Sequence, residues 1–353
     1  MTDGRVRAAA EVLTHQPFAV WHYGDSIGFE GLLAASDLLE DPRFEAFALG
    51  VVKGWIPRAK PYRELDNTAP GHAICMLYER SGDEALLAAA GELAEHLCSR
   101  RKVEGVYVPF ARAPLREPYG GAALPPEQLL LLDDPGAGVF VDCLHFDAPF
   151  LTHLGILSGT LALVDAGAEQ ALALVRLLQL PDGSFAHFYL ERTDETYGHG
   201  WGRGQGWALL GLLDVLEWLP PVHPTRAVLV EALERLAGAL AATQTADGHW
   251  GTPIDDPASY HEASTALFVA AGFTRAIRLG LIEPELERVA SRAFDAGLAA
   301  VAADGSMEGI SAALWACTAG SHYPHAPVGF QVPWGQGPFL VAAYERDRDS
   351  ALT

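Results

Sequence analysis

The chain has 353 residues, half of them hydrophobic and 20% charged, with a formal net charge of −21. That composition provides a sizeable core and excludes a disordered chain. So acidic a surface repels phosphate backbones and anionic membranes, so neither nucleic acid nor a lipid surface is expected as a partner.

Cys75, Cys98, Cys143 and Cys317 are widely spaced and form no CxxC pair. This is the pattern of a reducing, cytoplasmic location and not of a disulfide framework. The first 23 residues lack a basic stretch leading into an apolar run, so no signal peptide is expected. No run of about 18 apolar residues offers a membrane span.

In chain order, residues 21–30 read as a loop and lead into a helix that ends near 39. A second helix over 42–56 stops at Pro57. The polar stretch 62–68, which contains Asp66, precedes an apolar run over 69–78. Ser81-Gly82-Asp83-Glu84 then caps a long helix with apolar residues at 86, 87, 90, 93, 94 and 97. Residues 103–141 are rich in proline, glycine and β-formers and read as a long loop carrying a short hairpin. Beyond Val141, residues Phe150, Leu154, Leu157 and Leu161 fall on one helical stripe. Further stripes cover 172–180, 209–219, 229–240, 263–279, 286–300 and 309–317. With no βαβ alternation, the class is all-α.

A weak repeat narrows the architecture. Asp182-Gly183-Ser184-Phe185, Asp247-Gly248-His249-Trp250 and Asp304-Gly305-Ser306-Met307 each follow an amphipathic helix, at spacings of 65 and 57 residues. That interval holds a helical pair with its loops, and roughly six such pairs would use the whole chain. The expectation is one (α/α)6 barrel, a six-hairpin toroid, over residues 1–353. An open solenoid would need polar capping repeats, and none is identifiable.

The stretch Gly198-His199-Gly200-Trp201-Gly202-Arg203-Gly204-Gln205-Gly206-Trp207 reads as a tight loop feeding the helix marked by Leu209, Leu212, Leu213 and Leu216. It is no phosphate loop: no strand precedes it, and it lacks both the G-x-G-x-x-G spacing and a Lys-Ser/Thr ending. Trp201 and Trp207 are core aromatics or, given the flanking glycines, flat faces on which a sugar stacks. Asp142 and Asp147 lie in an apolar run. Asp142 is a helix N-cap worth roughly 1 kcal/mol, or a desolvated carboxyl that keeps a proton near neutrality. Asp66 likewise reads as a cap or a second active-site carboxylate, and His187 as a packed or a substrate-binding histidine. His261-Glu262 lacks the second histidine of HExxH, and Cys317, His322 and His325 have no recognisable ligand spacing, so neither metal nor cofactor is expected. Val332-Pro333-Trp334-Gly335-Gln336-Gly337-Pro338-Phe339-Leu340 repeats the Trp/Gly pattern ahead of a last helix.

Trp201-Gly202-Arg203-Gly204-Gln205-Gly206-Trp207, the Asp142 segment ending Ala148-Pro149-Phe150-Leu151, and Gly335-Gln336-Gly337-Pro338-Phe339-Leu340 with Glu345 occur in the order of a known family. The chain resembles the unsaturated rhamnogalacturonyl hydrolases, glycoside hydrolase family 105, and more distantly the unsaturated glucuronyl hydrolases of family 88. The resemblance covers residues 20–346 and implies the (α/α)6 fold. It implies that Asp142 is the catalytic acid/base and Asp66 the second active-site aspartate. His187, Trp201 and Arg203 follow as substrate-binding residues; Trp207, in the same motif, and Asp147, an extra carboxylate after Phe146 where the family usually has a Met, are expected beside them. Leu132 stands near where the family often has a lysine.

The implied reaction removes a terminal 4,5-unsaturated uronic acid from lyase-generated oligosaccharides. Asp142 would protonate C4 of the vinyl ether, water would add at C5, and the resulting hemiketal would open and release the remaining saccharide. Arg203 would fork the sugar carboxylate. The alternatives are another (α/α)6 sugar hydrolase or epimerase using Asp142 with Asp66 or Asp147, and an inactive sugar-binding relative.

Overall fold

The computed structural model describes residues 2–18, 24–58 and 70–350. Six helices line the inside of a ring: α2 (Asp25–Leu38), α4 (Gly71–Ser81), α7 (Cys143–Ser158), α9 (Gly202–Trp218), α11 (Ala263–Arg278) and α13 (Pro333–Ser350). Each is preceded by an outer helix: α1 (Thr2–Thr14), α3 (Pro42–Trp55), α5 (Glu84–Cys98), α8 (Leu161–Leu178), α10 (Arg226–Thr243) and α12 (Glu287–Ala299). The two layers differ as their patterns require. Helix α9 is buried from Gly202 through Leu216, whereas α12 buries only Val289, Ala290, Ala293, Phe294, Ala296 and Gly297. A helix apolar all round belongs inside, and one with a single apolar stripe belongs at the surface.

Helix α13 packs on both α11 and α2, so the last hairpin meets the first and the ring is closed. The Asp-Gly turns show how neighbouring hairpins lock. Gly183, Gly248 and Gly305 have φ of 93°, 91° and 83°. A side chain at these positions would also strike the next outer helix: the backbone at Arg235 in α10, at Arg292 in α12 and at Ala8 in α1. Glycine is needed there both for the left-handed backbone and for the close approach. The third contact, from the last hairpin to the first helix, is what an (α/α)6 barrel requires and an open solenoid lacks.

Connections from inner to outer helices are short, such as Gly159-Thr160 between α7 and α8. Those from outer to inner helices are long and collect at the N-terminal ends of the inner layer. They carry β1 (Lys102–Val103), β2 (Val106–Tyr107), α6 (Pro126–Asp133), and a sheet of β3 (Gly138–Phe140), β4 (Phe188–Leu190) and β5 (Glu195–Tyr197). The order is β3-β4-β5, antiparallel, with Phe140 opposite Phe188.

Three expectations need correction. Residues 103–141 contain the helix α6 as well as the hairpin. Gly202, Gly204 and Gly206 belong to α9 itself, where they admit Thr265, Trp201 and Phe268 against the helix backbone. Residues 309–317 are not helical: Ser311 N–H donates to the Glu262 carboxylate and Arg203 takes the Ala312 carbonyl. Tertiary partners thus use up groups that a helix would have needed. Among the described residues no helix is long and apolar enough to cross a membrane.

Candidate active site

The sheet places the first functional group. Beyond β3 the pairing continues for one residue, Val141 N–H donating to the His187 carbonyl at 2.9 Å. Asp142 therefore emerges beside His187, at the N-cap position of α7. Its side chain makes no capping hydrogen bond. The carboxyl is 14% exposed and its Oδ2 lies 3.9 Å from His187 Nε2. Burial raises its pKa from the ordinary 3.8 to about 6, against smaller opposing effects of its own backbone N–H and the charge of Arg203. An uncapped, desolvated carboxyl is a proton reservoir, which the capping alternative is not.

His187 is buried, and that burial, with His322 and Arg203 nearby, pushes its pKa well down and keeps it neutral. Its Nδ1 lies 2.8 Å from the Tyr323 hydroxyl. Tyr323 stays protonated, since burial, Cys317 and Asp142 all oppose its ionisation. The phenol therefore donates to Nδ1, leaving Nε2–H on the side of Asp142. Gly198 makes room for this pair: at φ 66°, a side chain there would collide with the Tyr323 hydroxyl and come within 2.7 Å of the His187 Cβ.

These groups border a cavity of about 200 Å³ walled by Phe110, Phe140, Phe146, Trp201, Leu314 and Trp315. Trp201 is only 2% exposed. Its ring packs 4.2 Å from His187 and 5.0 Å from the Arg203 guanidinium. Trp315 is the open ring, 44% exposed, with Arg116 against it at 5.1 Å.

The structure thus brings Asp142, His187 and Trp201 together. It does not bring the other expected residues into the cavity wall. Arg203 is buried and already paired, through Nη1 to Glu262 at 3.2 Å and to Ser311, and through Nη2 to the Ala312 carbonyl at 2.9 Å. It clamps α9 to α11 and to the 311–312 segment behind Trp201, while its Nε is buried without a hydrogen-bond partner among the described residues. Trp207 is fully buried between His145, Phe146 and Phe268, the core alternative. Asp147 is buried on the outward side of α7, where its charge acts on Tyr107. Asp66 lies outside the described residues. His322 accepts from Tyr119 N–H through Nδ1 and donates from Nε2 to the Trp315 carbonyl, so both ring nitrogens are engaged structurally.

Tyr323, Trp315 and the phenylalanines of the wall were not evident in the sequence. Apart from Phe146, which lies on α7, they come from segments without helical period, and only Gly198, next to His187 in space, hinted at a close neighbour.

The model of Glycosyl Hydrolase Family 88 matches residues 2–349. The chain is 23% identical over 332 residues to the unsaturated rhamnogalacturonyl hydrolase YesR of Bacillus subtilis (strain 168), covering 92% of this chain and 89% of that protein. A shorter match, 27% over 148 residues, covers 41% of this chain and 34% of an unsaturated 3S-rhamnoglycuronyl hydrolase of Alteromonas sp. (strain LOR). Among solved structures, a family 105 glycoside hydrolase from C. acetobutylicum superposes with a TM-score of 0.83 at 20% identity, covering 98% and 99% of the two chains. The unsaturated glucuronyl hydrolase of Bacillus sp. GL1 gives 0.72 at 19% identity, covering 99% and 97%. These superpositions share the (α/α)6 fold derived above. With its Asp142-bearing cavity at the N-terminal mouth of the barrel, the chain is a glycoside hydrolase and belongs to Glycosyl Hydrolase Family 88.

Proposed function

We propose that the chain removes a terminal 4,5-unsaturated uronic acid from a small oligosaccharide left by a polysaccharide lyase, with Asp142 as the proton donor. The observation that carries this reading is the uncapped, buried carboxyl of Asp142, raised to about 6. The C4=C5 bond of such a sugar is a vinyl ether. Protonated Asp142 delivers its proton to C4, and oxocarbenium character develops at C5. The resulting carboxylate takes a proton from water as its oxygen bonds to C5, which restores the acid. The hemiketal then opens and the remaining saccharide leaves from C1. One carboxyl serves both steps, unlike the paired carboxylates of ordinary glycoside hydrolysis. Neutral His187, held by Tyr323, keeps an N–H toward Asp142 and stabilises its anionic form.

The apolar wall holds water back from the acid, and the exposed ring of Trp315 offers a stacking face to the leaving saccharide. All four cysteines are free, which supports action in a reducing, cytoplasmic compartment. The test is a panel of unsaturated disaccharides differing in uronic acid and leaving sugar, followed by the ultraviolet absorbance of the double bond. At least one member loses its absorbance on this reading. If the whole panel keeps it while a saturated glycoside is cleaved, the reading fails.

A further inference from the structure

Below the cavity the barrel axis carries a second polar cluster. Glu30 on α2, His72 on α4, His145 on α7 and Asp214 on α9 meet there, from four successive inner helices, and all are buried. His145 Nε2 lies 3.3 Å from Glu30 Oε1, and its Nδ1 lies 3.5 Å from Asp214 Oδ2. His72 Nδ1 lies 4.0 Å from the same Glu30 oxygen and 3.9 Å from the same Asp214 oxygen. These five atoms are buried, and none has a hydrogen-bond partner among the described residues. Native interiors leave few such atoms, so five that face one another call for an occupant.

We propose that Glu30, His72, His145 and Asp214 hold one divalent transition-metal cation, of the zinc or manganese kind, on the barrel axis. Imidazole and carboxylate donors together suit such ions. Ligand atoms about 2.1 Å from a tetrahedral metal stand about 3.4 Å apart. Glu30, His145 and Asp214 form the tighter set, each offering an atom within 4.8 Å of the others, and His72 Nδ1 stands further out at 3.9 and 4.0 Å from the two carboxylates. Only one ring nitrogen of His145 can ligate. The other then faces a carboxylate, the arrangement that fixes metal-bound imidazoles. The other Asp214 oxygen is held by Arg275 at 2.5 Å, which orients the carboxylate.

A route in exists. A cavity of about 200 Å³ opens from the C-terminal mouth of the barrel, with Glu30, His72 and Asp214 in its wall together with Asp37, Glu217 and Glu345. Its wall carries six carboxylates against three arginines, Arg80, Arg275 and Arg348. It therefore stays net acidic and favours cations, although Asp37, Glu217 and Glu345 are each paired to an arginine. A proton is the rival occupant, because an imidazolium at His145 would answer both carboxylates. Charge-assisted N–H···O bonds close to about 2.7–2.9 Å, however, and both His145 pairs stand further apart than that. A metal here would pin four of the six inner helices one turn below Asp142.

A second cluster, Asp247, His249 and His261, also brings donor atoms within 4.8 Å of one another, near the surface, so the test must separate the two. Chelator-treated full-length protein is titrated with Zn²⁺, Mn²⁺ and Co²⁺, reading stoichiometry, the Co²⁺ visible spectrum and the melting midpoint. The expected result is one ion per chain and a midpoint raised by about 4 °C at a hundred times Kd. Glu30→Gln and His72→Ala weaken binding by at least about 100-fold, whereas His249→Ala/His261→Ala leaves it unchanged. No uptake by the wild type overturns the proposal, as does binding that survives Glu30→Gln or is lost with His249→Ala/His261→Ala. The wild type and the surface variant decide the matter even if an axial variant fails to fold.

Discussion

On the proposed mechanism, the proton on Asp142 sets the pH range in which the enzyme works. With a pKa of about 6 in place of 3.8, about one carboxyl in ten is protonated at pH 7 and not about one in 1,600, a gain of about 140-fold in the reactive form. Protonation is required for attack on C4, so kcat/KM falls tenfold per pH unit above about 6 and levels off below it. Phe146 follows Asp142 by one helical turn and walls the same cavity. Phe146→Thr wets the carboxyl, moves the break in the profile down by up to about 2 pH units and lowers kcat/KM at pH 7 by up to about 140-fold. The variant also loses about 3–5 kcal/mol of stability, read separately from its melting curve at a temperature well below the transition. Initial rates of absorbance loss between pH 4 and pH 8 give both profiles. A wild-type break near 4, or a break that Phe146→Thr leaves in place, would refute burial as the source of the acid.

Three other substitutions check the surroundings. Arg203→Met strands Glu262 as a buried charge and destabilises the fold by about 3–5 kcal/mol, and Glu262→Gln in the same chain recovers part of that in thermal melts. A normal melt with a raised KM would instead return Arg203 to the sugar. Gly198→Ala forces a left-handed residue against Tyr323 and His187, so stability falls by about 1–3 kcal/mol and kcat falls with it; full activity would mean that the pair can shift freely. Tyr323→Phe removes the donor to His187 at a cost of about 0.5–1.5 kcal/mol. It also lets the other tautomer form, which nitrogen NMR of the ring reads directly.

The ring was legible because its signals are local. Each Asp-Gly turn needs a left-handed glycine, and the apolar periods place the helices. The stripe drawn from Phe150 to Leu161, however, runs past the end of α7 at Ser158 into α8, where Leu161 is exposed, and α9 is buried all round. Asp142 was legible as an acidic residue at the head of an apolar helix, although only its surroundings distinguish cap from acid. Asp147 was separable in principle. Five residues along a helix is a rotation of roughly 140° from Asp142, which takes it off the cavity side. Arg203 shows what sequence alone hides. Its partners Glu262, Ser311 and Ala312 are 59 to 109 residues away, and no local pattern announces an ion pair across helices. The stretch 309–317 has an apolar composition that suits a helix, yet Glu262 and Arg203 take its backbone groups.

The most direct measurement follows the proton itself. Turnover of an unsaturated disaccharide in D₂O is quenched early, and the released uronic acid product is read by NMR. Vinyl-ether hydration by Asp142 places one solvent deuteron on C4 in a single orientation, at a rate that Asp142→Asn lowers by at least about 100-fold. Release of the leaving sugar with the double bond intact and no deuterium on C4, or unchanged turnover by Asp142→Asn, would contradict it.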